Sequence, residues 1–172
     1  MKLYHYVPYH HTVKENGLLA VVYLPDELAK YGVRAQTKNP EGIIGWLEKT
    51  FIGRSRAISV LTEPIQGRHN HPMLKDWADK KVLVEIDFDR LLADNLVQSV
   101  WCKVGSDPKG EKEQFYQIRP DEIEKTPLAW EKCSPENGFF GVVRHYFLVM
   151  KEGVIPPAYL KLKEINHECN HQ

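Results

Sequence analysis

The chain has 172 residues, 42% of them apolar and 27% charged, which is the size and balance of one globular domain with its own core. Lysine plus arginine and aspartate plus glutamate number 23 each, so the formal charge is zero, which argues against a strongly basic nucleic-acid binder but allows a local basic patch. Cys102, Cys133 and Cys169 are odd in number and irregular in spacing, so they read as reduced thiols rather than a disulfide framework.

Residues 3–7 alternate and are rich in aromatics, which predicts a first strand ended by Pro8. A short helix is expected over 12–19, with Thr12 as N-cap, Glu15 at the capping-box position and Gly17 at its C-terminal turn. Pro25 to Tyr31 suits another short helix that stops at Gly32. Ile43, Ile44, Leu47 and Phe51 recur at helical spacing and predict a helix over 41–51, with Gly53 as its stop. Residues 56–61 read as a strand broken by Pro64, and the polar stretch 66–72 as a loop.

The clearest alternation in the chain runs over 81–88, where Val82, Val84, Ile86 and Phe88 oppose Leu83, Glu85 and Asp87. A short helix over 89–96 follows, then a strand over 96–104 ending in the turn-like 105–110. Pro120 opens a further helix, and residues 141–150 are strongly strand-like. No repeat, low-complexity run or linker divides the chain. The expectation is one α+β domain over 1–164, with a polar tail over 165–172. The N-terminus carries no apolar core of a signal peptide, and no apolar run nears the ~20 residues that span a bilayer. A cytoplasmic, soluble chain with no membrane partner is therefore expected.

Four pieces, in this order, resemble the ADP-ribosyltransferase superfamily, especially its small bacterial, phage and RNA 2′-phosphotransferase-like branches. Leu3-Tyr4-His5-Tyr6-Val7, with Asn16-Gly17-Leu18-Leu19 after a helix, is similar to that fold's opening strand with its His. Arg56-Ala57-Ile58-Ser59-Val60-Leu61 is similar to the strand that sets a Ser or Thr beside the nicotinamide. Val82 to Asp87 looks like a central strand, and Tyr146 to Val149 with Ile155-Pro156-Pro157 looks like the late strand and its turn. The resemblance covers about half of the chain. It implies a split, mostly antiparallel sheet with short flanking helices, NAD as cofactor, and a protein or nucleic-acid acceptor.

The chemistry of NAD explains such residues. Its ribose–nicotinamide bond is labile, and breaking it develops positive charge on the ribose, which the site must stabilise while holding the dinucleotide bent. The resemblance assigns His5 to a ribose hydroxyl and Ser59 to the nicotinamide side. Arg54 or Arg56 would reach the pyrophosphate through bidentate contacts. Tyr31 would stack on a ring. The family's late Glu has no counterpart: His145 and Tyr146 fill its place, and either could stand in for it.

Each of these residues also has an ordinary structural reading. His5 would be a strand residue satisfied by backbone, Ser59 a small strand residue, Arg54 and Arg56 a solvated turn, and Tyr31 a core tyrosine. His10, His11, His69 and His71 lack a third ligand at metal-binding spacing, and His167, Cys169 and His171 lie in the polar tail, so no metal site is expected. Cys102 has no His partner in sequence. Two other functions stay open beside the transferase. One is a non-catalytic interaction or regulatory protein that keeps the fold without the carboxylate. The other is a His-dependent hydrolase or nuclease using His5, His145 and the loop histidines.

Overall fold

A computed structural model describes residues 1–8, 12–24, 40–64, 81–104, 114–126 and 144–163. They form an α+β architecture around one seven-stranded sheet in which every pairing is antiparallel. In chain order the elements are β1 (Lys2–Pro8), α1 (Val13–Asn16), β2 (Leu18–Leu19), α2 (Pro40–Glu48), β3 (Ala57–Leu61) and β4 (Lys81–Asp87). These are followed by α3 (Phe88–Ala93), β5 (Val97–Val104), β6 (Gln114–Ile118), β7 (His145–Met150), β8 (Val154–Ile155) and β9 (Leu160–Lys163). The sheet order is β6-β5-β7-β3-β1-β4-β9, and β2 with β8 makes a separate two-stranded ribbon.

The sheet is two blocks joined at its middle. β4 pairs with β1 along its whole length, from Lys2 opposite Asp87 to Pro8 opposite Lys81. β7 pairs with β3 from Ala57 opposite Val149 to Leu61 opposite His145. Between β1 and β3, by contrast, the one partner pair among the described residues is Tyr4 with Leu61. The blocks share that seam.

Strand alternation sorts side chains onto two faces. One face carries the larger core: Leu3 and Val7, Ile58 and Val60, Val84 and Ile86, Tyr146 and Leu148, capped by Phe88 and Leu91 of α3. Burying each such side chain is worth ~1.5–3 kcal/mol, so this layer supplies most of the driving force. The opposite face carries a smaller aromatic layer, with Phe51, Ala57, Phe147 and Val149 packed against Trp101 and Phe115.

Several expected elements take different bounds or forms. The helix after β1 is a single turn, and Gly17 ends it at φ 75°, where a Cβ would collide with the Ile155 carbonyl oxygen. Thr12 caps no backbone N–H there, its hydroxyl accepting a hydrogen bond from Asn16 Nδ2 at 2.5 Å, and Leu18–Leu19 is strand. The helix expected over 41–51 stops at Glu48. The helix expected over 89–96 starts earlier, at Phe88, because the Asp87 side chain caps it by accepting from the Arg90 N–H at 3.3 Å. The expected helix at Pro120 is a 3-10 turn ending at Glu122. The expected helix over 25–31, the loop over 66–72, the turn over 105–110 and the tail over 165–172 lie outside the described residues.

Candidate functional site

β-sheet register builds the site. On the aromatic face, Lys103 of β5 stands between Phe115 of β6 and His145 of β7, while Phe147 of β7 stands between Trp101 of β5 and Ser59 of β3. Residues directly opposite on antiparallel strands share a face. Two rungs thus put an ammonium, an imidazole, a hydroxyl and three aromatic rings side by side. Trp46, Leu47 and Thr50 of α2 and its following turn close over them, together with Arg54, and enclose a cavity of about 260 Å³.

The cavity wall is stiffened by ring contacts. Phe51 stacks on Trp101 at 4.4 Å between centroids and 15° between planes, and Phe115 meets Phe147 edge-on at 5.6 Å. The His145 ring lies 4.9 Å from that of Phe147. The Arg54 guanidinium sits over the Phe147 ring, 4.1 Å from its centroid, within the range of a cation–π contact. Trp46 keeps 38% of its surface exposed at the mouth of the cavity, so a flat apolar group entering there has a ring to pack on.

The polar centre is a hydrogen bond of 2.7 Å between Ser59 Oγ and His145 Nε2. Burial first, and then the charges of Lys103, Arg54 and His5, hold the pKa of His145 well below the usual 6.5. The imidazole is therefore neutral at pH 7. In the tautomer with its proton on Nδ1, Nε2 accepts the Ser59 hydroxyl proton. This is the arrangement of a hydroxyl held by a base.

The candidate residues separate clearly. Ser59, Arg54 and His145 meet in the cavity. Tyr146 points the other way, into the larger core, where it is 0% exposed. Its hydroxyl accepts the Glu124 N–H at 2.9 Å and is shared with Thr126 Oγ1. His5 alternates with Leu3 and Val7, which belong to the larger core, and is not among the described residues lining the cavity. Its Nδ1 hydrogen-bonds the carbonyl oxygen of Ser59, so it touches the site through the β3 backbone. Arg56 lies just before β3 and donates from Nη1 to the Lys151 carbonyl at 3.2 Å, away from the cavity. Tyr31 lies outside the described residues, as do His10, His11, His69, His71, His167, Cys169 and His171. Cys102 is fully buried on the core face.

Lys103, Phe115, Phe147 and Trp46 were not legible as site residues. Their only sequence signal is parity: Lys103 shares the face of Trp101, and Phe147 shares the face of His145. Among the described residues, no three His, Cys, Asp or Glu side chains come together as a metal site, and no helix is long and apolar enough to cross a membrane. No family model matches the chain, and no match is found among curated proteins or solved structures.

Proposed function

We propose that the cavity binds NAD and that the chain is an ADP-ribosyltransferase-like protein acting on a protein or nucleic-acid acceptor. The observation that carries this reading is the Ser59–His145 hydrogen bond in an aromatic-walled cavity that also presents Arg54 and Lys103. A nucleotide asks for that mixture: cations for phosphate, flat rings for a base, and hydrogen-bonding groups for ribose hydroxyls. The strands carrying the resemblance, β1, β3 and β7, are also neighbours in the sheet.

Each side chain then has a task. Arg54 and Lys103 hold the phosphates, Arg54 offering a planar fork and Lys103 a compact point charge. Phe147, Phe115 and Trp46 pack against a ring. In the other tautomer, with Nε2–H donating to Ser59 Oγ, neutral His145 accepts a hydrogen bond from a hydroxyl at Nδ1 or takes its proton there as a general base, and Ser59 fixes its orientation. His5 supports this indirectly, through the Ser59 carbonyl. NAD supplies the labile ribose–nicotinamide bond. At about 260 Å³ the cavity falls just below the ~300–1,000 Å³ of typical ligand sites, so it takes one end of the dinucleotide.

A second reading has its own observation. Among the described residues, no Asp or Glu lines the cavity, so no fixed negative charge is available there for the positive charge that develops on the ribose. Such a site binds the nucleotide and turns it over slowly or not at all, as a regulatory protein would. Thermal melting and nicotinamide release separate the outcomes. NAD at 100 times its Kd adds ~2.7 kcal/mol of stability by mass action. A melting shift with nicotinamide release supports the transferase, and a shift without release supports the binding protein. No shift at millimolar NAD refutes both.

A further inference from the structure

Between the end of α2 and the start of β3 the chain reverses through a tight turn, and the turn's backbone N–H groups fall into two sets. The Arg54 N–H bonds the Phe51 carbonyl at 3.1 Å, and the Arg56 N–H bonds the Gly53 carbonyl at 2.9 Å. The N–H groups of Gly53 and Ser55 both go to the side chain of Glu48. Its Oε1 accepts from Gly53 at 3.0 Å and its Oε2 accepts from Ser55 at 2.7 Å.

The turn is pinned from beneath as well. Gly53 has φ 94°, and a Cβ there would lie 2.6 Å from Val149 Cγ1 of β7, so the backbone rests directly on the sheet. What this fixed turn carries is Arg54, with its guanidinium over Phe147 at the cavity wall. Glu48 itself does not line the cavity.

We propose that Glu48 is a positioning residue: by gripping the N–H groups of Gly53 and Ser55 it holds the turn that aims Arg54, and so sets affinity for the ligand's phosphates without touching them. The inference rests on the reading of Arg54 as a phosphate contact. A guanidinium already held in place loses less freedom when it binds, so the grip is felt as affinity. A carboxylate suits the task because both of its oxygens accept, whereas an amide would turn an NH2 toward one of the two donors. Burial works to raise the carboxyl's pKa, but the N–H groups of Ser55 and Gly53, the Ser55 hydroxyl and the charge of Arg56 outweigh it and hold the pKa below the usual value. Glu48 is thus ionised at neutral pH.

A double-mutant cycle tests this, with ADP-ribose as the calorimetric probe and melting temperature read in parallel. Glu48→Gln should weaken ADP-ribose binding by ~10-fold in the wild-type background, the value of one well-placed interaction. In the Arg54→Ala background it should cost no further affinity, while its drop in melting temperature persists in both. A purely structural role would give the same affinity loss in both backgrounds, and that result, or no loss in the wild type, overturns the inference. Should Glu48→Gln fail to fold, Glu48→Asp, one methylene shorter with its charge kept, enters the same cycle with the same expected outcomes. Wild-type protein that does not bind ADP-ribose overturns the ligand reading and this inference together, whereas binding lost in Arg54→Ala but kept in Glu48→Gln overturns the inference alone.

Discussion

Lys103 and His145 stand directly opposite one another on β5 and β7, which sets an ammonium beside an imidazole on the cavity floor. The positive charge adds to burial in keeping His145 unprotonated. Its consequences can be measured.

The first concerns stability and pH. The folded pKa of His145 lies well below 6.5, so as the pH falls below that value the unfolded chain takes up a proton that the folded chain refuses. The contribution is therefore complete above about pH 6.5 and is lost progressively as acid is added, until the folded pKa is passed. Melting of the wild type should fall more steeply between about pH 7 and pH 5 than melting of His145→Gln, which has no such group. Parallel curves for the two would show that His145 titrates normally.

Arg54 and Lys103 should each matter to an anionic ligand. Arg54→Ala and Lys103→Ala are expected to weaken ADP-ribose binding by ~10-fold apiece, with the loss shrinking in high salt as screening grows. Calorimetry at two ionic strengths checks this. Affinity for nicotinamide alone, which has no phosphate, should be unchanged.

Tyr146 separates stability from function. Tyr146→Phe leaves the Glu124 N–H without its acceptor and the buried Thr126 hydroxyl without its partner, at a cost of ~1–3 kcal/mol. Denaturant unfolding should show that loss, and ADP-ribose affinity should not change. A change in affinity would mean that the two faces of β7 are coupled.

His145→Glu restores a carboxylate at the cavity position on β7. A negative charge there stabilises the reacting ribose more than the resting ligand, so the gain should appear in kcat. Nicotinamide release from NAD should rise above the wild-type rate, and Tyr146→Glu, on the buried face, should give no such gain. Equal rates in His145→Glu and the wild type would count against the cavity as the reacting site.

How far the sequence carries can be seen residue by residue. Strands β1, β3, β4 and β7 are legible because alternation and β-branched runs are local signals, and α2 because Ile43 and Leu47 fall on one helical face. The helix bounds are less so. Asp87, inside an alternating run, gives no sign that it leaves the strand to cap α3.

The site is legible only in part. Ser59, Arg54 and His145 are recoverable from the resemblance, but what joins them is register between distant segments. That Lys103 meets both Phe115 and His145 follows from β5 pairing with β6 on one side and β7 on the other, and no local pattern encodes it. His5 shows the limit of motif reading. Its residue type suits a ribose contact, yet strand parity sets it with Leu3 and Val7, and its ring meets the Ser59 carbonyl oxygen rather than the cavity.

The most direct test is an experimental structure of the chain with ADP-ribose bound. Phosphate oxygens are expected within hydrogen-bonding reach of Arg54 and Lys103, a ribose hydroxyl on His145, and a ring against Phe147 or Trp46. Ligand bound on the His5 side of the sheet, or no ligand density in the cavity at saturating concentration, would contradict this expectation.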